Sequence, residues 1–433
     1  MTASDATNPT PAQLLELARD PINLFVLVSL LAMLVAFLVA FSQVRFWGLI
    51  LRNVWRNKAR AALTIGSTVV CMGLMMLLLA FITVQNASVS SLRAYNRIVT
   101  MSSQGFGQVV PIKYVSDIET EFAEWIVAAT PYSWYGGKLG EEQLPFAQFA
   151  VDPAKFVQIY TEYEIPEDQK QAWLNDPAGC LIGYKIAEDR GYKIGDTIPL
   201  VSDIYEFPLE LTVRAIYRAP AATSQRVCFF HWNYLEEGLK TKAEGRNAGN
   251  AGVVVTKCRE ARAMPELCAR IDGLNASSQY PTRTQTEEAF AAQFAEFLGD
   301  LPTIIRNIGM AVVFVLVCVA GNTMAMAIRE RVVELSVMRA LGFVRRQVFL
   351  LVLIESLALT LIGGVIGAIG TKLWLDWFDV SKYAGGFVAA FYVTWPTALA
   401  GLSVAFWVGL LSGVPAAARA ASIPVVAGLR KVV

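Results

Sequence analysis

The sequence predicts a membrane all-α bundle of about five spanning helices, with a mixed α/β extracytoplasmic domain between the second and third spans. Three observations carry that expectation. Of 433 residues, 55% are hydrophobic and 17% charged, with a mean hydropathy of +0.45; an ordinary soluble protein is about 25% charged. Five apolar stretches approach or exceed the roughly 20 residues a helix needs to cross a bilayer. Charge is also unevenly placed: residues 84–301 hold 20 Lys/Arg and 28 Asp/Glu, the remainder 17 and 8. An acidic polar block inside a basic apolar frame implies two environments. The net charge of +1 points to no nucleic-acid partner.

The stretches follow in order. Residues 21–44 carry no charge, nor do 61–92, whose apolar centre is 61–83. The third is 307–328, the fourth 347–371 with Glu355 as its one charge, and the fifth is centred on 394–414. Asp5, Glu16, Arg19 and Asp20 precede the first stretch. That is not the basic leader of a signal peptide, so an uncleaved span is expected. Loop charges orient the bundle. Arg45, Arg52, Arg56, Lys58 and Arg60 crowd 44–60; Arg329, Arg331, Arg339, Arg345 and Arg346 crowd 329–346; Arg419, Arg430 and Lys431 lie in the tail. These segments belong to the cytoplasmic side. The alternate ends hold only Arg19 and Lys382. Residues 84–301 therefore face away from the cytoplasm of a multi-pass protein of the cell (inner) membrane. The expected divisions are 1–44, a tail and additional span; 45–83, an elbow and span; 84–301, the outer domain; and 302–433, three spans with a cytoplasmic connection.

Within the outer block, 108–114 reads as a strand. Ser116-Asp117-Ile118-Glu119 resembles a capping box opening a helix to Ala128, which Pro131 stops. Leu181-Ile182, Thr197–Val201, Leu209–Tyr217 and Val253–Val255 read as strands. Lys185–Arg190, closed by Gly191, and Ala263–Ile271 read as helices. From Glu287 to Leu301 a helix places Phe290, Phe294, Phe297, Leu298 and Leu301 on one face and runs toward the third span through a kink at Pro302. This helix and the end of the second span read either as stalks linking membrane and domain or as amphipathic helices against the domain base. Cys180, Cys228, Cys258 and Cys268 lie in this block. Outside the cytoplasm Cys258 and Cys268 are near enough in sequence for a local bridge, and free thiols are the alternative.

Catalytic motifs do not emerge. Gly364, Gly367 and Gly370-Thr371-Lys372 do not fit a phosphate-binding loop and lie in an apolar helix, where glycines serve close packing. The sole histidine, His231, follows Phe229-Phe230 and reads as a partly buried structural residue. Glu141-Glu142, Glu236-Glu237 and Glu287-Glu288 read as solvated faces. Glu355 within a span reads as a structural partner of an arginine of the preceding loop, such as Arg345 or Arg346, with a proton relay as the alternative. In that loop Val333, Val337, Ala340, Leu341 and Val344 fall on one helical face and Gly342 is a stop, giving an amphipathic helix at the membrane surface with its charged side toward the cytoplasm, suited to a soluble partner, with an interfacial helix that has no partner as the alternative.

The residues around this loop carry a resemblance. Asn322-Thr323-Met324, then Glu330-Arg331, then Glu334-Leu335-Ser336-Val337-Met338-Arg339-Ala340-Leu341-Gly342 is similar to the signature N-T-M, E-R, E-I-G-x-L-R-A-L-G of the FtsX-like, MacB-type permeases of ABC transporters, with Ser336 in place of the usual Gly. Ile354-Glu355-Ser356-Leu357, Gly363-Gly364 and the Pro415 to Leu429-Arg430 tail are similar as well. Arg52-Asn53-Val54-Trp55-Arg56, continuing to Arg60, looks like the family's cytoplasmic elbow, and Ile182-Gly183-Tyr184 to Gly195-Asp196-Thr197 is similar to its outer core domain. The family core has four spans; residues 1–44 are a departure. The resemblance implies a non-catalytic subunit that binds a dimer of a separate ABC ATPase through Glu330, Arg331, Glu334, Arg339, Leu341 and Gly342. No cofactor is expected on this chain, ATP and Mg residing on the ATPase. A second permease copy, identical or different, and a periplasmic adaptor or lipoprotein acceptor are further implied partners. The work done would be ATP-driven export or extraction of a lipoprotein, lipid, peptide or small hydrophobic compound at the outer face; the alternative is ATP-driven regulation of an extracytoplasmic cell-wall hydrolase.

Overall fold

A computed structural model describes residues 21–42, 58–142, 146–220, 223–242, 247–297, 301–378 and 393–425. It divides into an apolar unit (Met1–Thr83, Pro302–Phe378 and Tyr392–Val433) and a polar unit (Val84–Leu301 and Asp379–Phe391).

The chain opens with α1 (Pro21–Ser42) and α2 (Lys58–Ser91), the latter ending within the polar unit. There follow β1 (Arg97–Ser102), β2 (Val110–Pro111), α3 (Lys113–Glu121), β3 (Ile126–Trp134), β4 (Gly137–Lys138), β5 (Ala147–Val151), α4 (Pro153–Ile159), α5 (Glu167–Asn175), β6 (Gly179–Gly183) and α6 (Tyr184–Arg190). Next are β7 (Thr197–Ser202), β8 (Pro208–Tyr217), β9 (Val227–His231), α7 (Trp232–Lys242), β10 (Asn250–Ala251), β11 (Val253–Cys258), α8 (Met264–Asn275), β12 (Thr282–Thr286) and α9 (Glu287–Phe297). The apolar unit resumes with α10 (Leu301–Glu330), the short α11 (Val332–Ala340), α12 (Arg345–Trp377) and α13 (Trp395–Ser422).

In the polar unit a ten-stranded sheet runs β12-β1-β11-β3-β5-β9-β6-β8-β7-β4, and β10 pairs with β2 separately. The pairs β5/β9 and β6/β8 are parallel, the remaining pairs antiparallel. Both faces of the central strands are covered. Cys180 and Ile182 of β6 enter a core with Ile186 of α6 and Leu235 of α7, while Leu181 enters a second core with Phe156 of α4 and Trp173 of α5. A third core joins Ile118 of α3, Val254, and Leu267 and Ile271 of α8.

That double burial explains where the sequence reading succeeds. At β8 Leu209, Leu211, Val213, Ala215 and Tyr217 are buried and alternate with more exposed residues, so the period is legible. β1, by contrast, is buried at every position, as sheets covered on both faces are. Two expectations fail here. The strand expected over 108–114 shrinks to β2, because α3 already begins at Lys113. That helix has no capping box at Ser116, whose hydroxyl bonds the Lys113 carbonyl instead. It ends at Glu121, and Pro131 sits inside β3 opposite Val254.

Five described helices are long and apolar enough to cross a membrane. The glycines of α12 and α13 pack these helices together. A methyl at Gly364 would strike the Ala405 side chain, one at Gly409 would strike Thr360, and one at Gly413 would lie 2.8 Å from Ser356. Gly363 and Gly367 do the same against Thr68 and Met72 of α2. The additional helix α1 lies against α13, where buried Ser29 accepts a bond from the Trp407 indole at 2.9 Å. Trp374, Trp377 and Trp395 stand exposed at one end of α12 and α13, as residues of an interfacial aromatic belt do. Arg345 and Arg346 open α12 at its other end. Pro302 stands in the first turn of α10, where a missing N–H costs nothing; the junction 298–300 expected to continue the preceding helix lies outside the described residues.

Candidate functional site

α11 and the ends of α12 and α13 form the candidate site. α10 ends at Glu330, and Arg331 (φ −112°, ψ 13°) breaks the helix and caps the next one. At the far end the Gly342 N–H bonds the Arg339 carbonyl at 3.2 Å and the Phe343 N–H bonds Met338 at 3.1 Å. This is a Schellman exit; it needs a left-handed residue, and Gly342 supplies φ +101°.

The orientation of α11 corrects the sequence reading. Leu335 and Ser336 are the buried positions, whereas Val337, Leu341 and Val344 of the expected apolar face are exposed, Leu341 at 76%. The apolar edge is therefore presented outward and the arginines turn inward. Arg331 donates through Nη1 to both oxygens of Glu355, at 2.7 and 3.1 Å, with both side chains buried. The partner of Glu355 is thus Arg331, not Arg345 or Arg346, which lie in the first turn of the same helix as Glu355 and about ten residues from it. Arg331 Nε also approaches Glu334 at 3.4 Å. Arg339 donates to the carbonyls of Ala421 at 3.2 Å and Ile423 at 3.0 Å, where α13 leaves its last acceptors without helical partners. Ser336 is fully buried and its hydroxyl has no hydrogen-bond partner among the described residues. That tight seat matches the position where the family signature carries glycine.

Of the residues singled out from sequence, Glu330, Glu334, Leu341 and Gly342 lie on the outward side of this arrangement, and Arg331, Arg339 and Glu355 on the inward side. Arg52 and Arg56 lie outside the described residues, and Arg60 falls in the first turn of α2. All six cysteines are free thiols. The Cys258–Cys268 bridge is not formed, although the two share one core. Burial, then Cys268, pushes the Cys258 thiol up to about 12. Cys180 and Cys228 instead touch through their thiols.

The polar unit holds a second constellation that sequence reasoning missed. Arg97, at the start of β1, is buried; it bonds Glu287 Oε2 and Glu162 Oε1, each at 2.6 Å, and lies over the rings of Tyr95 and Tyr160. Arg93 forms a bidentate pair with Glu288 at 2.9 and 3.0 Å. Glu287 and Glu288 open α9, so these contacts join the chain entering the sheet to the chain leaving it. Glu287 and Glu236 are consequently not solvated: Glu236 accepts two bonds from the Gly249 N–H and pairs with Lys240. Burial raises the Glu287 carboxyl above the usual range, Arg97 works against that rise, and Glu162 adds to it. His231 is buried and bonds the Trp173 carbonyl at 2.8 Å. Burial holds its pKa below the ordinary value. An apolar crevice of about 270 Å³ lies between α2 and α10, lined by Met75, Leu78, Ile82, Gly309 and Met310, with Arg306 on its wall.

A basic-sided bundle with a short anchored helix and a sheet domain inserted between its second and third spans defines a multi-pass membrane permease. The sequence matches the FtsX-like permease C-terminal family over residues 308–425 and the MacB-like periplasmic core domain over 61–274. The chain thus carries an FtsX-like permease C-terminal domain and a MacB-like periplasmic core domain, and the relatives it resembles are ABC transporter permeases. It is 26% identical over 298 residues to the uncharacterized ABC transporter permease MJ1507 of Methanocaldococcus jannaschii, covering 65% of this chain and 70% of that one. It is 24% identical over 198 residues to the uncharacterized ABC transporter permease YknZ of Bacillus subtilis, covering 44% of this chain and 47%, about half, of that one. The extracellular domain of YknZ from Gram-positive bacteria aligns with a TM-score of 0.32 at 9% identity, covering 44% of this chain and all of that domain.

Proposed function

We propose that this permease docks a dimer of a separate ABC ATPase on α11, and that the ATPase drives export or extraction of an apolar or acylated substrate at the outer face of the membrane. The observation that carries the reading is a set of exposed apolar side chains at the C-terminal end of α11, Val337 on the helix, Leu341 at its C-cap and Val344 at the cap of α12, while Leu335 and Ser336 on the helix are buried. Soluble partners seat on such edges, and the flanking Glu330 and Glu334 suit a partner with basic groups. Glu330, Glu334, Leu341 and Gly342 form the contact, while Arg331 and Arg339 hold the helix for it. ATP and Mg bind the ATPase, and this chain carries no catalytic step. Two permease copies, identical or different, complete the assembly. Motion imposed at α11 reaches the core domain along the chain through α2 and through the α10–α9 connection, and a periplasmic adaptor or lipoprotein acceptor takes the substrate onward. The crevice beside Arg306 supports a substrate with an apolar portion.

The test is purification of the tagged full chain from native membranes with identification of bound proteins by mass spectrometry. An ABC ATPase is expected with the wild-type chain and a loss of at least tenfold with Leu341→Asp. Absence of any ABC ATPase, or unchanged recovery with Leu341→Asp, rejects the docking reading. A cell-wall hydrolase recovered in place of an adaptor rejects the export reading.

A further inference from the structure

Both ends of α11 are held by arginines that the helix itself does not require. Arg331 occupies the N-terminal cap, where short polar or acidic side chains are preferred and the helix dipole disfavours a cation. Its guanidinium turns to Glu355, which lies ten residues into α12, about 15 Å along the axis. An ionisable group in that setting persists only with a partner. Arg339 closes the other end on a different helix, the Ala421 and Ile423 carbonyls of α13. Between the two anchors Leu335 packs with Val348, Val352 and Ala416, residues of α12 and α13. Those two helices are interlocked in turn through Gly364 and Ala405 and through Gly409 and Thr360.

We infer that Arg331 and Arg339 are positioning residues that fasten α11 at its two ends, one to α12 and one to α13, so that a displacement of α11 is delivered to those two helices as one body. The fastening stands on the contacts alone; delivery of force rests on the docking reading above. A helix held only by its apolar seat could tilt or slide when pulled. Two directional, charge-assisted anchors, about 12 Å apart along α11, remove both freedoms.

Hydrogen–deuterium exchange of the full chain in lipid nanodiscs tests the fastening. Arg331→Gln and Arg339→Gln are each expected to speed exchange of the 332–341 amides at least tenfold. The swap Arg331→Glu with Glu355→Arg, and the conservative Arg339→Lys, are expected to return exchange to within threefold of wild type. Exchange within twofold of wild type in both Gln variants would overturn the inference. If a Gln variant fails to fold, the folded swap and Lys variants decide, and fast exchange in both would overturn it. A second readout addresses force delivery: ATP turnover of the ABC ATPase recovered with each variant. Retained recovery with at least fivefold lower permease-dependent turnover supports delivery, and unchanged turnover rejects it. Failure of the wild-type chain to recover an ABC ATPase rejects the docking reading while leaving the exchange result to stand.

Discussion

Arg331 in the apolar unit and Arg97 in the polar unit are both buried guanidiniums that join separate elements of the chain, yet the charge around them differs. Arg331 meets Glu355 through two hydrogen bonds, with a longer approach to Glu334, whose side chain is 43% exposed. The buried account therefore closes at one cation and one anion. Arg97 meets two buried carboxylates, Glu162 and Glu287, and Glu162 Oε2 has no hydrogen-bond partner among the described residues. Here two carboxylates share one guanidinium, which itself lies over the rings of Tyr95 and Tyr160, and Lys257 acts on Glu162 from nearby. Burial works against the charge on Arg97, but Tyr160, Glu287 and Glu162 outweigh it and hold the guanidinium firmly protonated. The contrast follows from the surroundings. A helix in hydrocarbon has no water with which to share a spare charge, so matched pairs are selected; a domain in water can relieve a mismatch by binding a proton.

The largest effects come from breaking each arginine. Arg97→Met and Arg331→Met should each destabilise the surrounding unit by about 3–5 kcal/mol, because a carboxylate is left buried and unpaired. Proteolysis of the full chain in denaturant reads the two units separately. The comparison sharpens with the second partner removed. Arg331→Met with Glu355→Leu should recover most of the loss, whereas Arg97→Met with Glu287→Leu should not, since Glu162 stays buried. Equal recovery in both would erase the distinction.

Gly364→Leu comes next, at about 1–3 kcal/mol or more, because the added side chain must enter the space of Ala405. A fall in the melting temperature of the apolar unit with the polar unit unchanged would show that the two units are stabilised independently.

The pH response separates the two arginine sites more gently. A carboxyl raised in the folded state contributes stability that is full below its unfolded value, about 4.3 for glutamate, and is lost as pH rises through the folded value. The polar unit should therefore lose stability over that rising window, and Glu287→Gln should flatten the slope. A wild-type slope of opposite sign across the same window, still present in Glu287→Gln, would contradict the role given to this carboxyl.

The smallest effect is a gain. Ser336→Ala removes a buried hydroxyl without a partner and adds helix propensity, so α11 should be stabilised by up to about 1 kcal/mol in thermal melts. A loss of stability would place a hidden partner at Ser336.

Much of the membrane architecture is legible locally. Runs such as 21–44 and 347–371 announce spans by length alone, and the arginines of 329–346 orient them. β7 and β8 show their alternation, and Gly191 closes α6 with φ +72° as its position suggests. β9 and β1 resist, because successive residues enter different cores and no period survives. The face that α11 buries is not legible for a related reason: an apolar edge looks the same whether it is buried or offered to a partner.

By itself the sequence determined the number and direction of the spans, the size of the outer domain and the place of the short cytoplasmic helix. Each depends on the length of an apolar run or the charge of a neighbouring loop. Only the tertiary structure decided that Arg331 answers Glu355, that Arg339 closes α13, and that Arg97 gathers Glu162 and Glu287 from 65 and 190 residues away. Pairing of buried charges is chosen by where the folded chain excludes water, and no local pattern encodes that.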